Sequence, residues 1–162
     1  MYMSTSEVMV DQNSAPTRIT QDRLKLFSII LIVIGILISG YLSYVKIVDV
    51  PTVCVKGGAF NCELVLNSIY STLGGIPIAW LGLATNLIIL ALIILENRIG
   101  FLQSYGPVIE FGIILFAFLF SIWLVYVQFF RLQALCPWCL SHELYVTLLF
   151  LISIPRLMRS LA

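Results

Sequence analysis

Apolar residues along the chain form four long runs that are separated by shorter stretches rich in polar residues and turn formers. The runs cover residues 26–47, 76–95, 107–130 and 137–154. A hydrocarbon core about 30 Å thick is crossed by about 20 helical residues, which is close to the length of each run. Lipid offers no hydrogen-bond partners to the backbone, so each run must be helical even where Gly, Ser and β-branched residues interrupt it. The pattern predicts an all-α integral membrane protein built as a bundle of four transmembrane helices.

Two shorter segments complete this organisation. Residues 1–24 are polar and lack the apolar h-region and the small-residue cleavage site of a signal peptide. We expect them to form an uncleaved, polar cytoplasmic tail, followed by one transmembrane domain over residues 25–162. Residues 62–68 carry apolar positions at helical spacing, which predicts a short amphipathic half-helix at the mouth of the bundle.

The composition agrees with a membrane location. Hydrophobic residues make up 60% of the chain and charged residues 10%, and the mean hydropathy is +1.05, which lies outside the range of soluble domains. The net charge of +1 provides no basic surface for a nucleic acid. We therefore expect membrane lipid as the surroundings and no nucleic-acid partner.

Cations are distributed unequally between the two ends of the runs. Those on the side of the N-terminus are Arg18, Arg23, Lys25, Arg98, Arg156 and Arg159. Those on the opposite side are Lys46, Lys56 and Arg131. Short loops rich in Lys and Arg stay in the cytoplasm. We therefore expect a multi-pass protein of the cell inner (cytoplasmic) membrane with both termini in the cytoplasm.

All four cysteines fall in the two connections on the outer face, as two pairs. Cys54 and Cys62 lie in the first connection, over residues 48–75, and Cys136 and Cys139 form a Cys-Pro-Trp-Cys sequence where the fourth run begins. The seven residues between Cys54 and Cys62 permit a disulfide without requiring one. The outer face is an oxidising compartment. Two dithiols facing it suggest an electron relay, which would make residues 25–162 a transmembrane redox domain.

The position of the second pair predicts its reactivity. Pro137 suits the first turn of a helix, where its missing N–H costs nothing. We expect the free N–H groups and the positive dipole end of that helix to face Cys139, to lower the pKa of its thiol and to make the thiolate a good nucleophile and leaving group. A disulfide between Cys136 and Cys139 is therefore predicted to be reactive.

Two other interpretations of the cysteines remain open. A non-enzymatic membrane assembly subunit would hold both pairs as structural disulfides, although a Cys-x-x-Cys ring is too small to constrain much chain entropy. A zinc site would use all four thiols, but structural zinc sites typically have two Cys-x-x-Cys knuckles and this chain has one. We expect an electron relay without a metal.

The order of these features resembles the vitamin K epoxide reductase family, most closely its microbial members. The resemblance is carried by a spaced cysteine pair after the first helix, a Cys-x-x-Cys that opens the fourth, and the sequence CELVLNSIY from Cys62 to Tyr70 that leads to Gly75-Ile76-Pro77. Disulfide bond formation protein B is another four-helix quinone-linked oxidase, but its Cys-x-x-Cys precedes its spaced pair. Many microbial members carry an appended thioredoxin-like domain, which would extend beyond residue 162, so we expect a homologue without one.

The resemblance implies a membrane thiol:quinone oxidoreductase that supports disulfide bond formation in exported proteins. A separate thioredoxin-fold disulfide carrier would deliver electrons to Cys54, and Cys62 would then exchange with Cys136. Cys139 would pass the electrons to a quinone, either menaquinone or ubiquinone.

The resemblance also implies a quinone pocket near the outer face, closed by the first external connection and walled by helices two to four. Its expected contacts are Ser68, Ile78, His142 and Glu143. Animal members have an asparagine at the position of Ile78 and a tyrosine at that of Glu143, so we expect quinone reduction without epoxide chemistry. His142 and Glu143 share a helix face with Cys139, where they would donate to the quinone, join a proton path, or form a structural pair near the interface.

Overall fold

The computed structural model describes the backbone of residues 14–54, 57–96 and 98–161. Residues 1–13 of the predicted cytoplasmic tail lie outside the described residues. In chain order, the elements are α1 (Ser14–Val48), α2 (Cys62–Leu66), β1 (Thr72–Leu73), β2 (Ile76–Pro77), α3 (Ile78–Leu95), α4 (Gly100–Tyr126) and α5 (Pro137–Leu161). Within this described part, α1, α3, α4 and α5 are long and apolar enough to cross a membrane, which confirms the predicted all-α bundle of four transmembrane helices.

The observed helices extend beyond the apolar runs. α1 begins at Ser14, before the first run, and α4 begins at Gly100 rather than at residue 107. α5 begins at Pro137, as predicted, but continues to Leu161. A helix end in water or among lipid headgroups needs no apolar side chains, so hydropathy locates the part of a helix in lipid and not its ends.

A small hairpin replaces the predicted beginning of the second long helix. The apolar run predicts helix at residues 76–77, whereas the structure places them in β2, antiparallel to β1. Gly74 and Gly75 make the turn with φ values of 59° and 87°, in the left-handed region that glycine adopts without a Cβ penalty. The half-helix predicted over 62–68 is also shorter, because α2 gives way to a 3₁₀ turn at Ile69–Ser71.

The core of the bundle lies where α1 packs against α3 and α5, and where α4 packs against α5. Its buried residues come from all four long helices: Ile32, Ile89, Ile93, Ile114, Tyr145, Val146 and Leu149. The outward faces carry large exposed apolar side chains, among them Leu37 and Phe116. Such surface is stable against lipid, because lipid tails are as apolar as these side chains.

Charged side chains meet at the end of the bundle opposite the cysteines. Glu96, just after α3, binds Lys25 with an Nζ–Oε2 distance of 3.2 Å and Arg156 with an Nη2–Oε2 distance of 3.4 Å. Arg156 also donates to Oε1 of the buried Glu110 at 2.6 Å. A carboxylate inside a membrane span is costly unless it is paired, and this network supplies the partner. It joins all four long helices at the end that the cation bias assigns to the cytoplasm.

The close approach of α1 to α5 at Gly35 gives a first prediction. A Cβ at Gly35 would lie 2.6 Å from the hydroxyl oxygen and 2.8 Å from Cε1 of Tyr145, which is buried and donates a hydrogen bond to Asn86. We expect Gly35→Ala to lower the free energy of unfolding by about 1–3 kcal/mol, because the packed ring must move. Gly40→Ala, where a Cβ would have no such neighbour within 4 Å, is the control for helix propensity. Thermal unfolding in detergent checks this, and equal melting temperatures for the two variants would contradict it.

Candidate functional site

Backbone hydrogen bonds join the two external connections of the bundle. The N–H of Asn61 donates to the carbonyl of Leu135 at 3.0 Å, and the N–H of Leu135 donates to the carbonyl of Ala59 at 2.8 Å. Cys62 directly follows Asn61, and Cys136 directly follows Leu135. Cys62 and Cys136 consequently lie in one cluster of buried residues, where they are 1% and 0% exposed.

The two cysteine pairs are in different oxidation states. Cys54 and Cys62 form a disulfide, whereas Cys136 and Cys139 are free thiols. Cys54 and Cys139 pack against the cluster that contains Cys62 and Cys136, so the structure brings all four cysteines together at one end of the bundle. A four-cysteine zinc site would need four separate thiolates, and two of these sulfurs are bonded to each other.

The side chain of Trp138 links the second pair to the chain beside Cys54. Its indole N–H donates to the carbonyl of Val53 at 2.7 Å. The N–H of Val53 donates to the hydroxyl of Tyr41 at 3.1 Å, and the rings of Tyr41 and Trp138 lie 4.8 Å apart between centroids. These contacts hold Cys54 over the Cys-x-x-Cys segment.

Gln128 positions the backbone of Cys136 and was not predicted from the sequence as a site residue. α4 continues into a π-helical turn at Val127–Leu132, and Gln133 then takes a left-handed conformation with φ of 49°. Within this turn Gln128 is buried, and its Oε1 accepts the N–H of Cys136 at 3.1 Å. π-helical turns are frequent at functional sites, because they redirect side chains within a helix. A glutamine inside an apolar run was the one signal in the sequence.

The N-terminus of α5 acts on Cys136 rather than on Cys139, which corrects the sequence-based expectation. Cys136 directly precedes α5, and the N–H of Cys139 donates to its Sγ at 3.4 Å. The hydrogen bond from the Cys139 side chain, with those from the backbone N–H groups of Cys139 and Trp138, lowers the pKa of Cys136 to about 7 against the opposing effect of burial. Cys136 is therefore the sulfur of this pair that ionises readily.

A cavity of about 930 Å³ lies next to Cys139, inside the bundle. Its walls are mostly apolar and come from α3, α4 and α5, as predicted, but also from α1, which the prediction omitted. Residues of α2 and of the 3₁₀ turn in the first external connection also line it. Its volume lies in the range of small-molecule sites.

The four predicted quinone contacts all line this cavity with Cys139. The hydroxyl of Ser68 donates to the carbonyl of Val65 at 2.8 Å, so its hydrogen bond stays within the external connection. Ile78 is the first residue of α3. His142 meets the ring of Tyr145 edge-on at 4.9 Å between centroids, and Glu143 is buried.

A hydrogen-bonded group of polar residues in the cavity wall, Ser39, Asn86 and Tyr145, was also not predicted from the sequence. Tyr145 donates to Oδ1 of Asn86, and Nδ2 of Asn86 donates to the hydroxyl of Ser39 at 3.4 Å. Asn86 lies about 12 Å deeper along α3 than Ile78. An asparagine within the apolar run of α3 was a usable signal, because polar groups in membrane spans are costly.

The model of the vitamin K epoxide reductase family matches residues 26–154 of the 162-residue chain. The match extends from α1 into α5. It includes both cysteine pairs and the four predicted quinone contacts.

Replacing the side-chain acceptor of Gln128 tests whether its hydrogen bond to the N–H of Cys136 stabilises the fold. Gln128→Leu leaves the buried N–H of Cys136 without its partner, and we expect a loss of about 1–3 kcal/mol in the free energy of unfolding. Gln103→Leu, at an exposed position of α4, should change it by less than about 0.5 kcal/mol. Denaturant unfolding in detergent measures both, and equal stability of the two variants would show that the hydrogen bond is dispensable.

The thiol of Cys136 should titrate near neutral pH. With Cys54 and Cys62 oxidised, we expect thiolate absorbance in the ultraviolet to rise as the pH passes about 7 rather than the ordinary value of 9.0. Cys139→Ala removes the largest cause of the lowered pKa and should move this midpoint upward, whereas Cys136→Ala should abolish the transition. A midpoint that Cys139→Ala leaves in place would contradict the assignment.

Proposed function

The chain belongs to the vitamin K epoxide reductase family, and from that premise we propose that it is a membrane thiol:quinone oxidoreductase. Family membership and the four long apolar helices support a multi-pass membrane oxidoreductase of the thiol–disulfide type. The electron donor in this proposal is a separate thioredoxin-fold disulfide carrier, and the acceptor is a quinone. The reaction oxidises two thiols of the carrier to a disulfide and reduces the quinone to quinol. It supports disulfide formation in exported proteins, with the cysteines on the outer face of the inner membrane.

The observation that carries this proposal is the burial of Cys62 and Cys136 in one cluster, held by the hydrogen bonds of Leu135. Thiol–disulfide exchange needs a thiolate to approach a disulfide sulfur directly. Two structural disulfides of an assembly subunit would need no contact between the pairs. The free thiols of Cys136 and Cys139 also argue against fixed disulfides at both sites.

The sulfur chemistry follows from this arrangement. A carrier thiolate attacks Cys54, breaks the Cys54–Cys62 bond and forms a mixed disulfide, which the second carrier thiol resolves. The Cys62 thiolate then attacks the Cys136–Cys139 disulfide at Cys136 and releases Cys139. Attack of Cys54 on Cys62 restores the first disulfide and releases Cys136. The described structure has the bonds of this last state, with the electrons on the second pair.

The release of Cys136 is favoured by its environment. In thiol–disulfide exchange, a thiol of lower pKa leaves faster. The hydrogen bond from the Cys139 side chain, together with the N–H groups of Cys139 and Trp138 at the start of α5, lowers the pKa of Cys136 to about 7. The sulfur that must leave when Cys54 closes on Cys62 is therefore the one whose thiolate the structure stabilises.

The cavity beside Cys139 fits a quinone. It is largely apolar, has the volume of a small-molecule site, and holds a few polar groups among which Oε2 of Glu143 has no hydrogen-bond partner within the described part of the chain. A bound quinone, either menaquinone or ubiquinone, accepts two electrons and two protons. The outer end of the cavity is lined by Ser68 and Ile78. The wall next to Cys139 is formed by His142 and Glu143.

Quinol formation by the purified protein tests the proposed reaction. Protein in detergent, a reduced thioredoxin-fold carrier and a panel of quinones should give quinol in step with carrier disulfide, and Cys139→Ala should abolish turnover. Absence of quinol with every quinone would favour the assembly-subunit interpretation.

The route within the protein is tested by the same assay with Cys54→Ala. This variant cannot close the first disulfide, so it should lose turnover with the carrier and accumulate a Cys62–Cys136 disulfide. Mass spectrometry of non-reduced peptides identifies that species. Full activity of Cys54→Ala with the carrier would remove Cys54 from the route.

A further inference from the structure

Glu143 is a buried carboxyl group in the wall of the cavity. The residue is 8% exposed and lines the cavity beside Cys139. Among the described residues, its Oε2 atom has no hydrogen-bond partner. Such a group costs stability, because burial removes water without supplying a replacement. The cost indicates a role in the chemistry of the cavity.

Two other ionisable groups of the cavity, Lys46 and Tyr145, have hydrogen-bond partners. Lys46 donates to Oδ1 of Asn67 at 2.8 Å and to the carbonyl of Leu66 at 3.2 Å. Tyr145 donates to Asn86. The remaining ones outside α5 belong to the external end of the cavity: Asp49, Glu63 and Tyr70.

His142 is adjacent to Glu143 but is packed against its neighbours. Its ring meets Tyr145 edge-on, and its Nε2 lies 3.5 Å from the point where a Cβ on Gly82 would be. His142 therefore faces α3 and the deep polar residues of the cavity. Glu143 combines burial, an unused oxygen and a position four residues after Cys139, which places both side chains on one face of α5 about one turn apart.

We propose that Glu143 carries a proton from Cys139 to the bound quinone, an inference that rests on the proposed function. When Cys136 and Cys139 form their disulfide, two S–H bonds break, one S–S bond forms, and two electrons and two protons pass to the acceptor, where two O–H bonds form. The Glu143 carboxylate accepts the Cys139 proton and, as a carboxylic acid, delivers it to an acceptor oxygen. Glu143 is therefore unchanged over one cycle and accounts for one of the two protons.

The test separates two half-reactions in the full-length protein and in Glu143→Gln, which keeps the shape of the side chain but cannot carry the proton. Reduction of the Cys136–Cys139 disulfide by a reduced thioredoxin-fold carrier, without quinone, should still go to completion in the variant, which shows that it is folded. Reoxidation of the dithiol by a short-tailed quinone should slow by about 10²–10⁴-fold, the usual contribution of a positioned acid–base group. Glu143→Asp keeps a carboxyl group and should recover part of the rate.

A second readout needs no quinone. Infrared difference spectra record the conversion of the Cys136–Cys139 dithiol to the disulfide by an oxidised carrier. We expect a change in a carboxyl C=O band when Cys139 loses its proton, absent in Glu143→Gln and shifted in Glu143→Asp. If Glu143→Gln does not fold, the band is assigned instead by comparing the wild type with Glu143→Asp.

The outcomes distinguish this inference from the function on which it rests. Equal quinone reoxidation rates and pH profiles in wild type and Glu143→Gln, or no carboxyl band that depends on Glu143, would overturn the proton role and leave the thiol:quinone reaction in place. No reoxidation of the wild type by any quinone would overturn the proposed function itself. A slowed quinone step, an intact carrier step and a Glu143-dependent band together support the proton role.

Discussion

The two backbone hydrogen bonds of Leu135 hold the two cysteine pairs together. They join a segment after α4 to Ala59 and Asn61 before α2, and Asn61 and Leu135 each directly precede a buried cysteine. A single hydrogen bond of this kind contributes only about 1 kcal/mol to stability. Its effect on the rate of a thiol–disulfide exchange would be larger. Exchange between two sulfurs held side by side is intramolecular and avoids the entropy cost of bringing them together. The position of each external connection therefore depends on its hydrogen bonds to the other connection.

The end of α4 and the start of α5 are arranged around the same contact. The π-helical turn buries Gln128, and its side chain accepts the N–H of Cys136. Pro137 then starts α5, so the unpaired N–H groups of the first turn lie beside Cys136. A helix N-terminus favours a negative charge at its first residues. The geometry thus concentrates thiolate character on the sulfur that takes part in exchange and leaves Cys139 facing the cavity.

Two buried carboxyl groups show how differently a membrane bundle can treat the same side chain. Glu110 receives a short hydrogen bond from Arg156 and takes part in a network that joins all four long helices. Glu143 lies near the other end, where one oxygen is unpaired among the described residues. A charge inside lipid is tolerated when it is paired or when it has a function. Position in the fold, and not residue type, separates the structural carboxylate from the candidate for proton transfer.

The sequence by itself determined the solvent, the number of helices and the positions of the two cysteine pairs relative to those helices. Four apolar runs of sufficient length admit only helices in lipid, and the order of Cys54, Cys62, Cys136 and Cys139 relative to those runs is specific. Local signals also located the start of α5, because proline is favoured at the first position of a helix. These features depend on composition and on short-range backbone chemistry, which the sequence contains directly.

Only the tertiary structure decided which cysteines meet and which polar groups face the cavity. The contact of Cys62 with the cluster around Cys136 depends on a pairing between segments more than 70 residues apart, which no local pattern encodes. The turn before α5 places the sulfur of Cys136 where it accepts an N–H from the first turn of that helix. The spacing of the sequence had assigned this stabilisation of a thiolate to Cys139, which is the wrong residue of the pair. Asn86, Gln128 and Tyr145 were not distinguishable from interfacial or lipid-facing polar residues until the helices were packed. The direction in which a side chain points within a bundle is fixed by the crossing of helices, and that is a property of the whole fold.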